Sequence, residues 1–320
     1  MRKNKIGQTV RNIKIDCNSH IESIRKRMEV IPGITIDNFG LSAHLGKKFS
    51  PGCKACKRNK WTVVFIGRAC NCKCYFCPQP YNKPAFGSTD DTNGIILTST
   101  TKEYYLFLLM KLKNAAAAKN LEAIGYSGGE PFLYMDRIKH YAKEIMDIKS
   151  GLYQYIYTNG IAVTKDSVKE LRDVGIEEVR FNLAATDFSD GVVKKMVYVR
   201  KIVPFLTIEV PSLRDTCLKI KKNLHKFIDI GVDQINLCEV NINQHNNLYF
   251  KNDPCYHVYP FSLKEVKEGS ISRTTLIEQS PVWSRHITYD VMEMAAKEDW
   301  PITINDCSWL NHIKPTWVSL

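Results

Sequence analysis

The stretch Trp61 to Pro78 reads WTVVFIGRACNCKCYFCP: an apolar, β-branched run, a glycine, then cysteines at positions 70, 72, 74 and 77. Trp61–Ile66 has the length and composition of a buried strand, and Gly67 ends it. The unit recurs downstream, with candidate strands at Ala123–Ser127, Tyr153–Tyr157, Glu178–Leu183, Phe205–Val210 and Gln234–Val240. Amphipathic stretches between them predict helices over Lys102–Lys119, Arg137–Ile148, Thr164–Asp173, Asp190–Lys201 and Arg214–Ile230, with Gly175 and Gly231 where C-caps belong. Six strand–helix units predict an α/β fold, its parallel sheet either doubly wound or curled into a barrel. They are too few to close an eight-strand barrel.

Residues 1–60 read as an N-terminal extension, with a short basic helix over Ser19–Glu29 and turns at Pro32, Gly33, Gly40 and Pro51-Gly52. Residues 61–245 form the core unit. The segment 246–320 is less regular, with one helix near Tyr289–Lys297 and a short strand at Ile302–Ile304.

The basic Met1–Lys5 has no apolar segment behind it, and no apolar run nears the roughly 20 residues that span a bilayer. A soluble, cytoplasmic protein without a membrane partner is therefore expected. The net charge of +12 suits either a polyanion such as tRNA, an anionic small substrate, or a solubilising surface. Eleven cysteines exceed what packing needs in a reducing compartment, so metal or redox chemistry is the first suspicion.

Cys70, Cys74 and Cys77 make a CxxxCxxC loop. Three thiolates at this spacing can wrap one face of a cubane cluster and leave the fourth iron open, unlike the four-cysteine sites of electron carriers. A zinc ribbon competes, because Cys53-x2-Cys56 and Cys74-x2-Cys77 are suitably spaced; on a basic chain it would make a nucleic-acid-binding protein. That reading leaves Cys70 and Cys72 idle and gives Gly128-Gly129-Glu130-Pro131, after the second strand, no part.

The cysteine loop after a first strand, Phe76 before its last cysteine, and the Gly128–Pro131 motif together resemble the radical SAM superfamily over residues 61 to about 240. The resemblance implies a partial (βα)6 TIM-like barrel, preceded by the N-terminal extension and closed by the C-terminal segment. It implies that Cys70, Cys74 and Cys77 hold a [4Fe–4S] cluster whose unique iron is chelated by the amino and carboxylate groups of S-adenosylmethionine. The backbone beside Phe76 would face the adenine. Ser127, Gly128, Gly129 and Glu130, with Pro131, would receive the methionine amino group. Thr158, Asn159, Asn182 and Glu209 stand where relatives contact ribose or the methionyl carboxylate, and Ile235–Leu237 would pack on adenine.

The chemistry implied is reductive cleavage of S-adenosylmethionine to a 5′-deoxyadenosyl radical, which takes hydrogen from a substrate inside a shielded cavity. A low-potential donor such as flavodoxin or ferredoxin is the implied partner. No added RNA-binding or peptide-binding domain stands out, so a small-molecule or amino-acid-like substrate comes first. A peptide or protein comes second, and tRNA, supported by charge alone, third; activation of a glycyl-radical partner stays open.

Cys53 and Cys56 need an owner: an auxiliary iron–sulfur cluster or zinc site completed by Cys72, Cys238, Cys255 or Cys307, a redox pair, or two unligated thiols in a turn. Cys238, in the sixth strand, is a candidate hydrogen donor to a substrate radical if it faces inward. Glu239, Asn241, Asn243, His245 and Asn246 follow that strand, where substrates bind in parallel α/β folds. Asp306–Trp309 and Trp317 would fold over the barrel mouth.

Overall fold

The computed structural model describes residues 17–308 apart from 38–39, 59, 68, 79–89, 93–94, 98–108, 111–112, 115–116, 118–120, 244, 258–260, 268–269 and 277–278. The chain enters through helix α1 (Cys17–Val30), the hairpin β1 (Ile34–Asp37) and β2 (Ser42–Leu45), helix α2 (Pro51–Lys57) and strand β3 (Trp61–Phe65). Two short strands, β4 (Asp90–Thr92) and β5 (Ile95–Leu97), precede β6 (Ala123–Ser127) and helix α3 (Met135–Ile148). The alternation continues through β7 (Tyr153–Thr158), α4 (Lys165–Asp173), β8 (Ile176–Phe181), α5 (Asp190–Arg200), β9 (Phe205–Pro211), α6 (Thr216–Ile230) and β10 (Gln234–Cys238). Last come β11 (Cys255–His257), β12 (Phe261–Lys267), β13 (Ser270–Leu276), β14 (Gln279–Pro281), helix α7 (Val282–Lys297) and β15 (Thr303–Cys307).

One sheet dominates, in the order β1-β2-β15-β10-β9-β8-β7-β6-β3. From β3 to β15 every neighbouring pair is parallel, and the β1–β2 hairpin continues the sheet antiparallel beyond β15. With β1 at one edge and β3 at the other, the barrel is partial and open. A parallel α/β sheet is thus present, and the short strand predicted at Ile302–Ile304 joins the six as its seventh parallel member, over Thr303–Cys307. In this strand, β15, Ile304 joins the apolar layer while the Asn305 amide donates to Asn236 at 2.8 Å. Asp306 and Cys307 belong to this strand rather than to a flap over the mouth; Trp309 and Trp317 lie outside the described residues. The predicted helix over Lys102–Lys119 also falls largely outside them. Two smaller sheets, β13-β12-β5-β4 and β11-β14, are not hydrogen-bonded to the first, and β4 lies against β3.

Strand alternation separates two chemistries. Outward side chains such as Ile156, Val179, Phe181, Leu206, Ile208, Ile235 and Leu237 meet Ile138 and Ile145 of α3, Leu171 of α4, Met196 of α5, Phe227 of α6 and Met292 of α7 in one apolar layer. Burying each such side chain stabilises by about 1.5–3 kcal/mol. Inward side chains are aromatic on β7, where Tyr153, Tyr155 and Tyr157 gather around Ala55 of α2, and mostly polar on β8 to β10. Glu178 accepts from Ser50 Oγ at 2.6 Å, Thr207 Oγ1 at 2.6 Å and Arg180 Nε at 2.8 Å.

Helix α2 is the plug of this polar interior. Pro51-Gly52, read from sequence as a turn, instead opens the helix: Ser50 caps it through Cys53 N, and proline suits the first turn. Glycine is required because a Cβ on residue 52 would lie 2.7 Å from Arg180 Nη2 and 3.0 Å from the Tyr155 ring. The described part of the N-terminal segment is therefore built into the sheet and its interior.

No helix among the described residues is long and apolar enough to cross a membrane. On α1, His20 is buried edge-on to His286 of α7, their centroids 5.6 Å apart. Burial, with Arg285 nearby, lowers its pKa from 6.5 to about 3. The unfolded chain takes a proton below pH 6.5 that the folded chain refuses, so this contribution is complete above that pH and is lost as pH falls. Between pH 7 and about 5, the loss should reach about 2 kcal/mol. Urea denaturation across that range should show it, and His20→Gln should flatten the slope.

Candidate functional site

The carboxyl ends of the parallel strands carry the cysteine loop and the residues that brace it. Beyond β3, Ile66 N donates to Ser127 O at 2.8 Å, and Gly67 O and Ala69 O accept from Gly129 N and Glu130 N, each at 2.8 Å. The start of the cysteine loop is thus stitched to the turn after β6. Gly128 has φ +141°, and a Cβ there would lie 2.3 Å from Gly67 O. Gly128→Ala should therefore cost about 2 kcal/mol or more. A lowered thermal midpoint and reduced iron loading would show it.

Glu130 is wholly buried. Its Oε1 accepts from Thr158 Oγ1 at 2.7 Å and Phe132 N at 3.1 Å, and its Oε2 from Asn159 N at 2.7 Å. Burial pushes its pKa up against the pull of those bonds. Pro131, also buried, starts the 3-10 turn that Glu130 caps. The sequence placed both residues against an ammonium group. In the structure both are buried, and the Glu130 carboxylate is taken up by Thr158, Asn159 and Phe132; Ser127, Gly128 and Gly129 keep partial exposure.

Asn159 carries the brace onward. Its Nδ2 donates to Asn71 Oδ1 at 2.6 Å and approaches Cys70 Sγ at 3.8 Å, while its Oδ1 accepts from Ile161 N at 3.0 Å. A continuous path therefore runs from the Glu130 carboxylate through Thr158 and Asn159 to the first cysteine. Asn71 went unnoticed in the sequence, where only its place beside Cys70 marked it.

The other flank of the loop is held by residues after β10. Asn246 Nδ2 donates to Phe76 O at 3.0 Å and Asn243 Nδ2 to Pro78 O at 2.9 Å, and the Phe76 ring packs with Leu213, Val240, Ile242 and Phe250. Asn243 and Asn246, expected to touch substrate, instead fix the loop's backbone.

Within the loop, Cys77 N donates to Cys74 O at 3.0 Å and Cys72 N to Cys70 Sγ at 3.4 Å. Burial, together with the Cys72, Cys77 and Cys70 thiolates, pushes the Cys74 thiol up to about 12. Crowded thiolates without a counter-charge are unfavourable, and a cationic iron centre among them reverses that penalty. The donor set fits thiolate-ligated iron. By contrast, the electrostatic neighbours of Cys53 and Cys56 are Cys307 and Arg180 inside the sheet. The zinc ribbon, which needs Cys53 and Cys56 beside Cys74 and Cys77, is not assembled.

Asn182 caps the turn Leu183–Thr186 by accepting from Ala185 N at 3.3 Å, and its own N donates to Thr158 O at 2.8 Å. Asp187 and Phe188 follow at φ +52° and +56°, a strained conformation for two successive non-glycine residues. They line a cavity of about 390 Å³ together with Lys73, Cys74, Tyr75, Phe76, Leu213 and Lys219. That volume suits a small ligand. Lys219 Nζ bridges Asp187 and Asp215, at 2.5 Å each.

On the inner wall, Glu209 accepts from Asn236 Nδ2 at 2.8 Å and Arg180 Nη1 at 3.2 Å, and Cys238 faces the same space. Ile235 and Leu237 point outward into the helix layer, so the adenine contact expected of them is not available; Asn236 takes the inward position.

Residues 64–210 match the family model described as the Radical SAM superfamily. A Methanocaldococcus jannaschii protein named for glycyl-radical enzyme activation is 23% identical over 210 residues, covering 62% of this chain and 52% of its own. The tungsten-containing aldehyde ferredoxin oxidoreductase cofactor-modifying protein of Pyrococcus furiosus is 24% identical over 213 residues, covering 60% and 55%. The chain thus spans about half the length of these curated relatives. Among solved structures, Streptococcus suis SuiB bound to S-adenosylmethionine has TM-score 0.43 and 15% identity, over 61% of this chain and 45% of that one. Coproporphyrinogen III oxidase (HemN) from Escherichia coli has TM-score 0.43 and 12% identity, over 79% and 57%.

Proposed function

We propose that the chain is a radical SAM enzyme, which cleaves S-adenosylmethionine reductively and turns the resulting radical on a small-molecule or amino-acid-like substrate. The observation that carries this reading is the stitch between the cysteine loop and the Gly128–Glu130 turn. Cys70, Cys74 and Cys77 would hold a [4Fe–4S] cluster, which when bound supplies the electron that splits the sulfonium. Asn71 and Asn159 set the first cysteine, Asn243 and Asn246 set the backbone around Phe76, and Glu130 locks the two halves together. The partly exposed turn Ser127–Gly129 would receive the methionine amino group at the backbone oxygens of Gly128 and Gly129. The cavity beside Tyr75 and Phe76 offers the adenosyl moiety a wall, with Lys73 and Lys219 at its rim.

Residues 61–245 would carry this chemistry in the cytoplasm, served by a low-potential donor such as flavodoxin or ferredoxin. The names of the two curated relatives favour a second reading, in which a protein is the substrate, either a glycyl-radical partner or another enzyme. The test is anaerobic purification followed by incubation with S-adenosylmethionine and dithionite. About four irons per chain with 5′-deoxyadenosine formed is the expected result; zinc without iron, and no nucleoside, would overturn the reading.

A further inference from the structure

Three donor side chains converge on the inner wall, at the opposite end of the parallel run from β3. Cys238 and Cys307 close β10 and β15 and oppose one another in the parallel register. Glu209 stands on β9 beside them, and the two sulfurs and a carboxylate oxygen all lie within 4.8 Å of one another. Cys238 Sγ is 3.6 Å from Glu209 Oε1. Bonds of about 2.3 Å to sulfur and 2.0 Å to oxygen in a tetrahedron set donors roughly 3.5–3.8 Å apart. The 3.6 Å between Cys238 Sγ and Glu209 Oε1, a thiol-to-carboxylate hydrogen bond, falls in that range, and Cys307 Sγ lies within 4.8 Å of both.

The carboxylate is already aimed. Its Oε2 accepts from Arg180 Nη1 at 3.2 Å and Asn236 Nδ2 at 2.8 Å, which leaves Oε1 turned toward the sulfur. Outer-shell bonds of this kind orient metal ligands and are not needed by a carboxylate facing solvent. We propose that Glu209, Cys238 and Cys307 bind a soft divalent cation of the zinc class. Two thiolates exclude magnesium and calcium, which take oxygen donors. Three protein donors leave the fourth tetrahedral position open, and Cys56 on α2 brings a further thiol into electrostatic range of Cys307. The site uses none of the loop thiols, so its metal can be assayed separately from the cluster.

The test is metal analysis of the wild-type chain and of Cys70→Ala/Cys74→Ala/Cys77→Ala, each stripped with chelator and titrated with Zn2+ and Co2+. Expected are about one zinc per chain in both, and a thiolate-to-cobalt charge-transfer band with Co2+ in the triple variant. Both signals should vanish in Cys307→Ser, and Glu209→Gln, which keeps the size of the side chain, should weaken zinc binding at least about tenfold. Zinc binding unchanged in Cys238→Ser and Cys307→Ser would overturn the proposal, as would no binding at all. Iron with acid-labile sulfide that depends on Cys307 would also overturn it and make the site a second cluster. Loss of iron and nucleoside in the wild type with zinc retained would sink the radical reading alone.

Discussion

Cys74→Ala should lose its bound iron, and with it the formation of 5′-deoxyadenosine, by more than about a hundredfold. Removing an outer-shell partner of a metal ligand already costs 10–100-fold, so removing a ligand itself should exceed that. The fold should survive, because the loop is anchored independently of the thiol: by Gly129 and Glu130 on one flank and by Asn243 and Asn246 on the other. Iron, sulfide and nucleoside assays on anaerobically purified protein, with circular dichroism as the fold control, check the expectation. Retained turnover in Cys74→Ala would remove Cys74 from the ligand set.

The second large effect falls on stability. Arg180 is 4% exposed, with Glu178 at 0% and Glu209 at 14% as its carboxylate partners. Its guanidinium stacks 3.8 Å above the Tyr155 ring and donates to Ser50 Oγ at 3.2 Å. Arg180→Met keeps most of the volume but strands a wholly buried carboxylate, and breaking a buried pair from one side costs about 3–5 kcal/mol. Against a total of about 5–15 kcal/mol for a domain, that is a large share. Chemical denaturation should show it, and the double variant Arg180→Met/Glu178→Gln should recover part of the loss. Arg180→Lys should be intermediate, since an ammonium cannot reach Glu178, Glu209 and Ser50 together.

The parallel framework could be read from sequence because its outward residues are apolar at every second position, as in Val179–Phe181 and Leu206–Ile208–Val210. What escaped was set by distant partners. The Pro51-Gly52 pair looks like a turn until Arg180 and Tyr155 are seen to press on residue 52. Asn243 and Asn246 looked like substrate contacts because nothing local tells that their partners lie 165 and 170 residues earlier in the chain. The Glu130 carboxylate looked available for the same reason, its acceptors being filled from the end of β7. The spacing of Cys70, Cys74 and Cys77 pointed to thiolate ligation of a metal without such context, and left a cluster and a zinc ribbon in competition.

The plug helix α2 has a consequence for how the molecule reaches its shape. The Cys53 thiol receives Gln234 Nε2 at 3.1 Å and Asn236 Nδ2 at 3.5 Å, and β2 pairs with β15. The Cys53 thiol thus has its partners 181 and 183 residues further along the chain. Such contacts close very long loops, which slows folding. Until β15 emerges, the nascent chain must keep the Glu178 and Arg180 layer from collapsing without its plug, and a cut just before Trp61 would leave that layer open for good.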